Sequence, residues 1–188
     1  GYIVAAPDLL GYGETAYKLT QGHAPLQPFF NALMSGRSVA GINAGDAVRV
    51  LEFLQDRDDV RPDEIGAVAF GDVAPALLHA TAFEQQIRWL VLVESLLDYQ
   101  SIVMHQHYDV NANSLVAGAL TAYDLPDLLA SIAPRRVAVL QPQTHLRTAA
   151  TTDKIASSIG FAERHADSAL RVETQKLDLE QLIQWCVR

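Results

Sequence analysis

Apolar residues fall along this chain in short unbroken runs, separated by stretches of helical periodicity. Ile3, Val4, Ala5 and Ala6 form the first run, ended by Pro7-Asp8, and predict a strand over Gly1–Ala6. A strand without polar alternation belongs in a parallel sheet covered on both faces. Gly11 and Gly13 then open a loop over Asp8–Thr20, and Pro25 and Pro28 punctuate the next stretch. Ser38 can cap a helix in which Ala47, Val50, Leu51 and Leu54 recur at helical spacing. Arg49, Glu52, Gln55 and Asp56 give that helix its wet face, and it should end near Arg57. Ile65–Phe70 is the next strand, followed by a helix from Val73 to Thr81 with Pro75 in its first turn. Ile87–Val93 is a third strand, Tyr123–Ile132 a short helix closed by Pro134, and Val137–Leu140 a fourth strand. Thr152–Ala162 reads as a helix weakened by Gly160, Leu170–Val172 as a fifth strand and Leu177–Val187 as an amphipathic helix. Apart from the 123–132 helix, residues 95–134 carry no clear period. The alternation of strands and helices predicts an α/β sandwich with a mostly parallel sheet.

Composition narrows the picture. A chain of 188 residues fits one domain spanning 1–188, and 49% hydrophobic with 19% charged residues describes a folded chain, not a disordered one. With 14 basic and 22 acidic side chains the formal charge is −8, which argues against nucleic acid as a partner. No apolar run approaches the roughly 18–20 residues of a membrane span, so no membrane partner is expected. The single cysteine, Cys186, excludes an internal disulfide and a cysteine-based zinc site. No cofactor and no metal are expected.

Three stretches carry a resemblance. Gly1-Tyr2-Ile3-Val4-Ala5-Ala6-Pro7-Asp8-Leu9-Leu10-Gly11-Tyr12-Gly13 is similar to a strand-plus-loop pattern of α/β-hydrolase-fold proteins. Gly36-Arg37-Ser38, Gly41, Asp46, Leu51–Leu54, Asp59–Pro62 and Ile65-Gly66 resemble the segment leading to the nucleophile in acetylxylan-esterase-like and related carbohydrate-esterase-like hydrolases. Tyr123–Leu128 with Ile132–Arg135 looks like the segment before the strand that normally carries the catalytic acid. The resemblance implies an α/β-hydrolase-like three-layer sandwich. It also implies that three strands would precede residue 1, one of them lying between Gly1–Ala6 and Ile65–Phe70. The chain is accordingly expected to be the C-terminal portion of a longer protein, with the remainder of that polypeptide as its partner and a homo-oligomer as a further option.

Ester hydrolysis in this fold needs a sharp strand-to-helix turn that lifts a serine hydroxyl beside a base and an oxyanion hole. By the resemblance, that elbow falls on Ala69, Phe70, Gly71, Asp72 and Val73. Gly71 stands where the nucleophile belongs and has no side chain to attack with. Val73 stands where a small residue is expected. Asp72 is the rival nucleophile, because related dehalogenases and epoxide hydrolases use Asp, but a one-residue shift would put Phe70 at a small position. The bland reading of Asp72 is a carboxylate at a helix N-terminus. The acid should follow Val137–Leu140, where Gln141-Pro142-Gln143-Thr144-His145 holds no carboxylate, and Asp153 more simply begins the next helix. The base should follow Leu170–Val172, where Glu173-Thr174-Gln175-Lys176 holds no histidine.

Other candidates are few. His105 and His107, with Asp109, could form a metal pair but lack a third ligand, and read as a polar loop. His79 is expected on a partly exposed helix face, His165 on a solvated one, and His23 in a Pro-rich loop. His145 could still meet a ligand. Glu94 ends a strand at the edge where open α/β sheets bind ligands and is a candidate acid, with Asp98 close behind it. Ser95 and Ser101 are loop serines, Gly11-Tyr12-Gly13 lacks the context of a phosphate loop, and Trp89 and Trp185 belong to the core. The resulting expectation is a degenerate, non-catalytic hydrolase-fold module of a larger esterase-like protein. The alternative is an active ester hydrolase using a non-standard set such as Asp72 with His145 or His105.

Overall fold

The computed structural model describes residues 2–16, 26–175 and 178–187. Four parallel strands form one sheet in the order β1 (Ala67–Phe70), β2 (Trp89–Val93), β3 (Arg136–Leu140) and β4 (Leu170–Glu173). Every residue of β2 is buried, as expected for a central strand with Val and Leu on both faces. Parallel neighbours need crossovers, and helices supply them. α3 (Ala74–Phe83) joins β1 to β2, α5 (Leu125–Ile132) precedes β3, and α6 (Thr152–Ala166) leads to β4.

The two faces of the sheet are clothed differently. On one, Leu90, Leu92, Val137 and Val139 meet Leu78 of α3, Leu128 and Ile132 of α5, and Ile155 and Ile159 of α6. α2 (Val39–Gln55) adds a satellite core in which Leu51 packs with Ala80 and Ile87. On the other face Trp89, Val91, Val93, Ala138 and Leu140 meet Leu182 and Cys186 of α7 (Leu179–Val187). The result is helix, sheet and helix in three layers. Each fully buried Leu of this core contributes about 2 kcal/mol.

Most boundaries agree with the periodicity. Ser38 caps α2, its side chain accepting from Gly41 N at 3.0 Å, and the helix ends at Gln55. α6 runs four residues past the expected Ala162, to Ala166. Gly160 sits buried inside it.

The expected strand over Gly1–Ala6 differs. Gly1 lies outside the described residues, and residues 2–8 form neither strand nor helix, with Val4 84% exposed. A strand is stabilised by a paired neighbour, and among the described residues this run has none. Leu9 is where the segment becomes buried, and Asn43 of α2 donates to Leu10 O at 3.3 Å to hold it. His23, Pro25, Lys176 and Leu177 lie outside the described residues. In the stretch without a clear period, a short helix α4 (Gln100–Met104) and two 3-10 turns, Ala112–Ser114 and Ala119–Thr121, connect β2 to α5; α1 (Gln27–Met34) precedes α2.

Candidate functional site at the exit edge of the sheet

Phe70, Val93 and Leu140 stand in register on β1, β2 and β3. The next residues, Gly71, Glu94 and Gln141, therefore form one row at the C-terminal edge. All three have positive φ, at 55°, 53° and 49°. Only glycine accepts that region freely; for Glu94 and Gln141 it costs about 1 kcal/mol or more each. Backbone bonds hold the row together: Glu94 N donates to Leu140 O at 2.8 Å and Gln141 N to Glu173 O at 2.7 Å.

A cleft of about 270 Å³, part of it open to solvent, sits on this row. Gly71, Asp72, Glu94, Gln143, Thr144 and Arg147 are among its lining residues. Gly71 turns the chain from β1 into Gly71–Val73, a single 3-10 turn that runs into α3. A Cβ built on Gly71 would meet nothing within 4 Å, so the apex faces open space.

Asp72 is held from three sides. Arg147 Nη1 reaches its Oδ2 at 3.3 Å, Asn111 Nδ2 donates to the same oxygen at 3.3 Å, and Ser114 Oγ donates to its backbone O at 2.9 Å. Ser114 is fixed in turn by Tyr99, whose hydroxyl donates to Ser114 O at 2.8 Å. Burial pushes the Tyr99 phenol well above its usual range, so it donates as a neutral group. Among the described residues the side-chain partners of Asp72 are thus an amide and a guanidinium, and no imidazole.

The histidines are distributed elsewhere. His145 follows Thr144 on the loop after β3 and stacks on His105, with ring centroids 4.0 Å apart and planes 18° from parallel. Its Nδ1 is buried without a partner among the described residues, while His105 Nδ1 donates to Ser101 O at 2.7 Å. Asp98 is buried nearby. Burial alone would raise its pKa, but bonds from the Ser158 hydroxyl, Ser101 N at 2.7 Å and Lys154 Nζ at 3.2 Å hold it below the usual carboxylate value. His107 and Asp109 are exposed, and among the described residues no group of three or more His, Cys, Asp or Glu could hold a metal ion.

His79 corrects the sequence-based expectation. It is buried, with Nδ1 donating to Pro75 O at 2.6 Å and Nε2 accepting from the Tyr123 hydroxyl at 2.9 Å. The α3 helix is enclosed by α2, α5 and the sheet, so even its polar positions lie inside. Burial pushes the His79 pKa down. His165 is exposed, as expected.

Glu94 is exposed on the row beside Gly71, and Ser95 and Asp98 behind it are buried. Sequence reasoning misses Arg147, Ser114 and Gln143 as cleft residues and Asn111 as a partner of Asp72. They come from irregular segments, and only the Asn-Ala-Asn-Ser turn signal at 111–114 marks any of them.

No protein-family model matches the chain. A protein of Bacillus subtilis named as a hydrolase, YtaP, is 24% identical over 161 residues, covering 85% of this chain and 50% of its own length. Among solved structures, a protein from Bacteroides fragilis provisionally named an acetyl xylan esterase superposes with a TM-score of 0.69 at 15% identity, over 97% of this chain and 53% of that one. A glucuronoyl esterase from Teredinibacter turnerae gives 0.54 at 17% identity, over 78% of this chain and 46% of that one. A glucuronoyl esterase from Solibacter usitatus gives 0.51 at 14% identity, over 96% and 55%. The fold is α/β-hydrolase-like, and the chain spans about half the length of these similar proteins.

Proposed function

We propose that this chain, built on an α/β-hydrolase-like fold, is a non-catalytic module of a larger esterase-like protein. One observation carries the reading: the residue at the turn after β1 is Gly71, with φ of +55° and open space where a nucleophile would stand. Acyl transfer requires a group that attacks and a base that takes its proton, within hydrogen-bond reach of each other. Asp72, one residue on, is engaged by Arg147 and Asn111. His105 and His145 are stacked on each other.

The cleft then serves to hold or present a ligand, and the chain serves as packing for the remainder of its parent polypeptide. β1 is the natural seat for that remainder. It is an edge strand of the described sheet, and its last residue, Phe70, is 58% exposed. Exposed strand edges with apolar side chains invite pairing.

Hydrolysis of short acyl esters, such as p-nitrophenyl acetate, by the purified chain is the test. No turnover above the rate of the Asp72→Asn variant is expected. Turnover that Asp72→Asn abolishes would establish the active alternative, with Asp72 as nucleophile, and sink this reading.

A further inference from the structure

The stacked imidazoles sit where two cleft-lining segments meet. His105 closes α4 and leads into residues 106–110, which end at the cleft residue Val110. His145 lies between Thr144 and Arg147, both cleft residues. Besides the ring stack, the two segments are joined by one backbone bond, from Asp109 N to His145 O at 2.8 Å. The first segment has little else to hold it: Val103, Met104 and Tyr108 are all more than half exposed.

We propose that the His105–His145 stack is an acid-released latch on this wall of the cleft, closed when both rings are neutral and opened by protonation. The proposal goes beyond the preceding reading and holds whether or not the cleft is catalytic.

The chemistry follows from the contacts. Parallel neutral imidazoles at 4.0 Å attract, whereas two imidazolium rings at that spacing repel at short range. His105 already uses its Nδ1 proton on Ser101 O, so an added proton goes to Nε2 and places charge against the facing ring. Protonated, His145 carries an N–H on both ring nitrogens, and its buried Nδ1 has no acceptor among the described residues. The charged groups around His145 do not favour its protonated form on balance. Lys154 of α6 and His105 of the α4 end oppose it, and Asp98 of the β2–α4 loop favours it. Asp98, however, already has Lys154 Nζ at 3.2 Å and two serine donors. Asp109 faces the loop through its backbone N–H. Burial first, then His105 and Lys154, push the His145 pKa below its ordinary value.

The sign is fixed by that direction. A histidine with a lowered pKa in the closed form contributes closure that is full above about pH 6.5 and is lost as pH falls below it.

The test combines two measurements on the whole chain. Proton NMR of the imidazole Cε1–H signals should place the His145 midpoint below 6.5. Amide exchange, corrected for its intrinsic pH dependence, should show protection over residues 143–147 and 109–110 falling about tenfold or more between pH 7.5 and 5, while the β2 amides keep theirs. In His105→Phe, which keeps a flat ring but cannot charge, that fall should shrink to less than threefold. A His145 midpoint at or above 6.5, an equal fall in His105→Phe, or a fall shared by β2 would each overturn the latch. Should His105→Phe not fold, the wild-type titration and the comparison with β2 still decide.

Discussion

A methyl group added at Gly66 would lie 2.0 Å from Trp89 Cε2, whereas one added at Gly71 would touch nothing. The two glycines flank the same strand and are kept for different reasons. Gly66 lets the indole lie flat against the backbone entering β1. Gly66→Ala should therefore lose about 1–3 kcal/mol through overpacking, seen as a lower urea midpoint with an altered tryptophan emission. Gly71→Ala carries only the positive-φ penalty, about 1 kcal/mol, with emission unchanged. Gly71 is legible in the sequence because a glycine directly after an apolar run marks a turn. Gly66 is not, because the atom that crowds it comes from a neighbouring strand. His79 escapes a sequence reading for a related reason. A helix pattern tells which face is most apolar, but it cannot tell that α2, α5 and the sheet together cover the His79 face of α3 as well.

At the scale of elements, two polar side chains each fasten two structures. Asp124 Oδ1 accepts from Leu125 N at 2.7 Å and Tyr99 N at 2.6 Å, and its Oδ2 accepts from Gln100 N at 3.0 Å, so one carboxylate caps α5 and the start of α4. Arg135 donates to Thr81 O, Glu84 O and Ile87 O at 2.8–2.9 Å, closing the C-terminal end of α3. Asp124→Ala should cost about 2 kcal/mol and Arg135→Met a similar amount, with Arg135→Lys recovering part, measured by denaturant unfolding. Both residues lie in the segments that resemble hydrolases, Tyr123–Leu128 and Ile132–Arg135. Their job there is to join helices, which residue type alone could not reveal. Asp98 adds a pH dependence. Its folded pKa is lowered, so its stabilisation is complete above about pH 3.9 and drains away as pH falls through the folded value. Asp98→Asn should be less stable than wild type at pH 7 by about 2 kcal/mol and should lose less on acidification, a difference readable from urea midpoints at pH 7 and pH 3.

For the molecule as a whole, the asymmetry of the sheet matters most. Four helices cover one face, while the described helix on the other is α7, centred on β2 and β3. Phe70 and the partly buried Val68 lie towards the open side of that layer. Phe70→Glu should leave the unfolding free energy within about 0.5 kcal/mol, because the ring is exposed, and should weaken any association through β1, measured by sedimentation velocity. The α/β class, the parallel sheet and four of the strands are legible because buried strands announce themselves as apolar runs. The run at Ile3–Ala6 has the same composition but no neighbour to pair with among the described residues, and pairing is a property of the sheet, not of the strand.

The row formed by Gly71, Glu94 and Gln141 has an engineering consequence. Because three adjacent strands hand over to their connections at one level, each through a reversed backbone twist, the sheet ends in a flush rim. Connections rooted on such a rim are laced together above it, Leu97 N donating to Gln143 O and Gln143 N to Ser95 O, so exchanging one has to preserve the bonds it makes to the next. On those terms the scaffold is a mount for grafted recognition loops, with Glu94 and Gln141 as the anchor points to preserve.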